Sequence, residues 1–295
     1  MSAATLSSGH SQAKVSLPGI LRSEWRKFFS LRSTWILSSV AVAIVLIFAA
    51  FMPVVIGLVN NSDPGGTGLD EAGVPAAVVH QMAVAGLMIG GLLWAAAVIV
   101  SIAGEFSSHS IVSTFAAVPT RTPVYLAKSL VTGVVGFLGG VVFHLISALL
   151  VVALLAAFGF DAELGGGDAV GEALLSGVYV LVLTWMAVGL AALMRSTAGA
   201  IVVLSIFVYL VTSVVQGFTS FVDLDWLTWI GNHLPTAAVD GLRPSMNAFL
   251  SDLEGSGFGG LGKGIAAWDG WLTVAVWALA PLLLGGWAFK RRGVR

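Results

Sequence analysis

The sequence predicts an all-α integral membrane protein that crosses the bilayer six times. Three observations predict it. Of 295 residues, 57% are hydrophobic and 10% are charged, whereas a soluble domain carries about 25% charged residues. So few charges cannot coat a water-facing surface of this size. Six apolar runs, at about 34–59, 76–103, 125–160, 171–194, 198–218 and 268–289, each supply the roughly 20 residues a helix needs to cross a hydrocarbon core. Lys and Arg fall on alternate connections between those runs: of 14, only Arg243 and Lys263 lie on the far side. Helix is the fitting assignment, because an open sheet would leave backbone groups unpaired in lipid.

The near side carries Lys14, Arg22, Arg26, Lys27 and Arg32 before the first run. It also carries Arg121, Lys128, Arg195, Lys290, Arg291, Arg292 and Arg295. The positive-inside rule makes that side cytoplasmic and puts both termini there, in a multi-pass protein of the cell membrane. A missed span would scramble the alternation. The net charge of −1 argues against a nucleic-acid partner. The absence of cysteine removes disulfides and thiolate metal sites. The first apolar run starts near residue 34 and is too long for a signal-peptide core.

In chain order, residues 1–15 are polar and read as a disordered cytoplasmic tail, and 16–295 as a single transmembrane domain. Ser16-Leu-Pro18 is a helix start, with Ser as the cap and Pro in the first turn. The helix that follows has Ile20, Leu21, Trp25, Phe28 and Phe29 on one side. Arg22, Arg26, Lys27 and Ser30 fall mostly on the other, a pattern suited to lying in the inner interface. The first span holds no charge from Thr34 to Val59. Gly104–Lys128, between the second and third spans, reads as a short amphipathic cytoplasmic helix and a turn. Two outer connections are short and acidic. The last, Thr219–Ala267, is long and is expected to hold one or two re-entrant helices around Trp226 and Trp229. Trp268 and Trp271 then mark the interface where the sixth span starts.

Several patterns mislead. Gly257–Lys263 resembles a phosphate-binding loop, but Gly264 stands where Ser or Thr should hold magnesium, no strand precedes it, and it lies on the outer side. Asn60-Asn-Ser62 is a glycosylation sequon. The five histidines, at 10, 80, 109, 144 and 233, lack metal-ligand spacing. His144, inside the third span, is a functional candidate by position; its simpler reading is a neutral imidazole bonded to a neighbouring helix. No hydrolase triad or carboxylate pair is in evidence.

The span centres carry no Asp, Glu, Lys or Arg, unlike those of proton-coupled transporters. The two halves hold no matching broken helices. Any uphill work therefore draws energy through a cytoplasmic contact, and Gly104–Lys128 is the segment shaped for it.

Four segments carry a family resemblance: ILRSEWRKFFSLRSTW near the N-terminus; Gly104-Glu105-Phe106 with SIVSTFAAVPTRTPVYLAKSL; Gly189–Ala200 around Arg195-Ser-Thr; and His233-Leu-Pro-Thr-Ala-Ala238. In this order the chain resembles the membrane (permease) subunit of a bacterial type-2 ABC exporter over nearly its whole length. The resemblance implies that two such subunits pair, as a homodimer or with a related permease. Each would dock on a separate cytoplasmic ATPase that binds ATP and Mg, leaving no cofactor, metal or catalytic residue on this chain. It implies a coupling helix near Ser107–Ala117, with Ser107, Ser108, His109, Ser110, Ile111, Val112, Ser113, Thr114 and Phe115 against the ATPase. Ser107-Ser108-His109 depart from the Arg or Thr often found there. The second and fifth spans would line the path.

Two expectations concern side chains. Glu105, at the bilayer edge, is expected to pair with Arg22, Arg26 or Lys27 and to transmit motion. Ser205, Tyr209, Thr212 and Gln216 recur at helical spacing in the fifth span and are expected to form one polar stripe along the path. The implied cargo is hydrophobic or amphipathic. A non-transporting immunity or signalling subunit, and a secondary transporter or channel without an ATPase, are the alternative readings.

Overall fold

The computed structural model describes residues 16–62, 73–108, 110, 121–219, 221–222, 224–247 and 266–291. Among them the fold is helical, with one isolated parallel bridge between Val74 and Ala162. Six helical stretches are long and apolar enough to cross a membrane, as a transmembrane protein requires.

Helix α1 (Leu17–Ser30) begins where the Ser16 hydroxyl accepts the Gly19 N–H, with Pro18 in the first turn. It ends at Leu31, a single extended residue. Helix α2 (Arg32–Ser62) then carries Ala41, Val45, Ala49, Pro53 and Gly57 at intervals of four, and this small-residue stripe is buried. The sequon falls in its final turn. Its other faces expose Ile36, Ile47 and Phe51, the pattern of a helix facing lipid.

The apolar run expected to form one second span is two helices, α3 (Ala76–Val84) and α4 (Leu87–Ser107), broken at Ala85–Gly86. A close helix contact lies at this point. A Cβ at Gly86 would sit 2.6 Å from the Val45 Cα, so the backbone of α2 passes directly against the break. The third span, α5 (Arg121–Ala157), is followed by a turn through Gly159, at φ 90°.

Helix α6 (Gly166–Met194) is the centre of the bundle. It packs against α5, α4, α7 (Thr197–Thr219) and α10 (Ala267–Arg291). Tyr179, Leu183, Met186, Ala187, Val188 and Ala191 are all buried. Tryptophan and tyrosine heads tie the helices across the apolar contacts. Trp94 Nε1 donates to Thr184 Oγ1 at 2.9 Å, Trp185 Nε1 to the Ser129 carbonyl at 3.1 Å, and the Tyr125 hydroxyl to the Leu282 carbonyl at 2.7 Å.

Helices α6 and α10 cross with their backbones in close contact. A Cβ at Gly285 would lie 2.6 Å from the Gly189 Cα, and one at Gly189 would overlap the Pro281 carbonyl. Both obstructions are backbone, so neither yields by a rotamer change. Gly189→Ala is expected to destabilise the bundle by about 3 kcal/mol, the upper end for overpacking. The unfolding midpoint of the detergent-solubilised protein reads this directly.

In α7, Ile206–Val211 winds as a π-helix between two α-helical stretches. The long connection before α10 holds two short helices, α8 (Asp225–Asn232) and α9 (Pro235–Asp240). Helix α8 packs on the end of α7, and α9 on α10 and α6.

Candidate functional site: a shared-cation cluster at the basic end

Helix α1, the end of α4, the start of α5 and the ends of α6 and α10 meet at one end of the bundle. The Phe106 ring lies 5.9 Å from that of Phe289, and the Arg195 guanidinium 5.1 Å from Phe106. Helix α1 docks there through Ile20, Glu24 and Phe28, one residue per turn. The middle member of that buried stripe is a carboxylate.

Glu24 is buried because it has partners. Lys128 Nζ lies 2.6 Å from Glu24 Oε2 and 2.6 Å from Glu105 Oε1. Lys27 Nζ adds contacts at 3.2 Å to Glu24 and 3.7 Å to Glu105. Two carboxylates and two ammonium groups thus neutralise each other. The relative exposures are 6% for the Lys128 side chain, 4% for Glu24 and 15% for Glu105, so this is a desolvated group rather than a surface pair. Attraction between charges strengthens as water is excluded, and a member left alone would carry a large desolvation cost.

The cluster joins three parts of the chain: α1 through Glu24 and Lys27, the end of α4 through Glu105, and the first turns of α5 through Lys128. Of the partners expected for Glu105, Lys27 is in contact. Arg22 and Arg26 are exposed and make no ion pair among the described residues. Glu24 and Lys128 were missed as partners. A visible signal existed: Lys128 is a lone charge inside an apolar run, and Glu24 is the one acid in a basic helix.

Ser107 and Ser108 donate their hydroxyls to the Gly104 carbonyl, at 3.1 and 2.7 Å, and so close the end of α4. Ser110 Oγ lies 3.0 Å from Ser108 Oγ. His109, Ile111, Val112, Ser113, Thr114 and Phe115 lie outside the described residues, as do residues 1–15, the glycine-rich 255–264 and Lys263.

Of the four stripe residues in α7, the Tyr209 hydroxyl donates to the Met88 carbonyl of α4 and Ser205 to its own helix at Ile201. Thr212 is buried, whereas Gln216 is exposed. The π-helical turns run through the middle of the stripe.

A second polar network lies at the opposite end. Arg243, after α9, is 1% exposed and Glu172 of α6 is fully buried; Arg243 Nη1 and Glu172 Oε2 are 3.0 Å apart. Arg243 also donates to Asp240 Oδ1 at 3.1 Å and Ser176 Oγ at 3.1 Å, and Glu172 Oε1 accepts the Ser245 N–H at 2.8 Å. Ser176 Oγ reaches His144 Nδ1 at 3.1 Å, His144 Nε2 reaches His80 Nδ1 at 3.1 Å, and His80 Nε2 faces the Leu164 carbonyl at 2.8 Å. A carbonyl only accepts, so His80 donates from Nε2 to Leu164. Ser176 carries a single hydroxyl proton, which faces both the Glu172 carbonyl at 2.9 Å and His144 Nδ1 at 3.1 Å. Both ring nitrogens of His144 thus meet side chains of neighbouring helices.

His233 lies nearby in sequence. Its Nε2 is 3.0 Å from Asp269 Oδ2, its Nδ1 is 2.7 Å from the Trp229 carbonyl, and its own carbonyl accepts from Trp277 Nε1 at 2.8 Å. One side chain therefore fastens α8 to α10. Among the described residues no group of three His, Cys, Asp or Glu could hold a metal ion.

No protein-family model matches the chain, and no curated protein matches it.

Proposed function

We propose that this chain is the membrane subunit of an ATP-binding-cassette exporter of the type-2 class. On this reading a separate cytoplasmic ATPase, carrying ATP and Mg, drives it. It pairs with a second copy or a related permease and moves a hydrophobic or amphipathic substrate out through the cell membrane. Both termini are cytoplasmic, and the chain itself is not an enzyme.

One observation carries the reading. The segment proposed to touch the ATPase runs between Glu105 and Lys128; Lys128 bonds both Glu105 and Glu24 of α1. A push on that segment is therefore delivered to α1, α4 and α5 together through one buried junction. Tyr209, bonded to α4, and the exposed Gln216 remain the proposed contributors to the path, with Ser205 and Thr212.

The experiment is co-purification of an ATPase with this chain, followed by substrate-stimulated hydrolysis in the reconstituted complex. Glu105→Gln keeps the size of the side chain and removes its charge. The complex is expected to assemble while stimulation falls about tenfold, within the usual range of coupling energies. Unchanged stimulation would remove Glu105 from the coupling route. Gradient-driven flux by this chain without any ATPase would overturn the whole reading.

A further inference from the structure

We propose that the exposed face of α1 is a binding surface for the headgroups of anionic phospholipids. This rests on the chain lying in a membrane and not on the identity of its energy source.

Helix α1 presents three parallel stripes, each built from residues four apart, which share a face at 3.6 residues per turn. Ile20, Glu24 and Phe28 are buried against the bundle. Trp25 and Phe29 form the next stripe, with ring centroids 4.7 Å apart, and Trp35 of α2 continues it, 6.0 Å from Phe29. The Trp35 indole N–H donates to the Phe29 carbonyl at 2.8 Å and fixes the junction of the two helices. Trp25 is 46% exposed and Trp35 58%. Arg22 and Arg26 form the third stripe, and Arg32 follows at the joint; all three are exposed.

The charges on this helix divide into two sets. Lys27 contacts the carboxylates of the cluster. Arg22, Arg26 and Arg32 meet no acidic partner among the described residues. Three such cations beside an exposed aromatic row call for an anionic, partly apolar surface. The charge-free run that starts at Thr34 sets the depth: this aromatic row lies at the start of the first span, where Trp settles among headgroups. An acidic protein surface would satisfy the arginines and leave the tryptophans wet. Anionic headgroups over acyl chains satisfy both. Zwitterionic headgroups offer no net charge and gain less.

The probe is lipid retention. The full-length protein is equilibrated with phosphatidylglycerol and phosphatidylcholine, and the lipids retained are counted by native mass spectrometry. Each arginine near such a surface is expected to favour the anionic lipid about fivefold, from about 1 kcal/mol per residue. The wild type should therefore retain phosphatidylglycerol preferentially. Replacing Arg22, Arg26 and Arg32 together by Gln should abolish the preference at an unchanged unfolding midpoint, and replacement by Lys should keep it. A wild type without preference, or a Gln variant that retains it, overturns the proposal. So does a Gln variant that keeps its lipid but no longer captures an ATPase, since the arginines then serve a protein partner. Loss of lipid preference with intact ATPase capture supports the lipid surface and leaves the exporter reading standing.

Discussion

A Lys128→Met variant is expected to lose about 4 kcal/mol of stability, the cost of stranding buried charge when one partner of a desolvated pair is removed. The Met side chain fills a similar volume, so the loss reports charge rather than a cavity. What remains would be two carboxylates, from Glu24 and Glu105, facing only Lys27, which reaches Glu105 at 3.7 Å and is 42% exposed. The prediction has a second arm. Adding Glu24→Gln to Lys128→Met should cost little more, or restore part of the loss, because the group returns toward neutrality. A double-mutant cycle on unfolding midpoints measures that coupling. If Lys128→Met unfolds like the wild type, the cluster is solvated and α1 is held by its apolar contacts alone.

The second large effect belongs to the opposite end. Arg243→Met is expected to cost about 3–5 kcal/mol, because Glu172, fully buried, would lose its cationic partner and keep only Ser245, through its N–H and its hydroxyl. The damage should be local at first. Arg243 supplies the charged link between the segment after α9 and α6, beside the Ser245 N–H, so hydrogen exchange in residues 235–247 should rise before exchange in α6 does. Glu172→Gln in the same chain should recover much of the loss, since an amide oxygen can still accept from Ser245. Equal exchange rates in variant and wild type would show that α9 is held by α10 rather than by the ion pair.

The six spans were legible because each is a long apolar run, and charge alternation checked their number. The start of α1 was legible from Ser16 and Pro18. The break at Ala85–Gly86 was not. Ala and Gly do not announce an interruption, and the backbone that passes against it, at Val45, lies about forty residues away. Glu105 stood out as an acid among cytoplasmic cations, yet its strongest partner did not. Lys128 is counted among loop cations when the sequence is read by orientation alone. Inside the fold its carboxylate partners come from two other helices. The far-end network draws on α3, α5, α6 and the segment after α9, and apart from Asp240 with Arg243 and Ser176 with Glu172 its pairs lie far apart in sequence. In both networks the hint is the same: an ionisable residue just inside an apolar run is there because something distant meets it.

The π-helical turn at Ile206–Val211 gives α7 a mechanical property that a uniform helix lacks. It holds one residue more than an α-helical turn would. Absorbing that residue would rotate everything beyond it by about 100° and shift it about 1.5 Å along the axis. Thr212, Gln216 and the attached α8 would turn as one body, while Ser205 and the end near Arg195 stayed still. Loss of the extra residue would therefore change which side chains of α7 face inward beyond Val211 while leaving the turns before Ile206 in place.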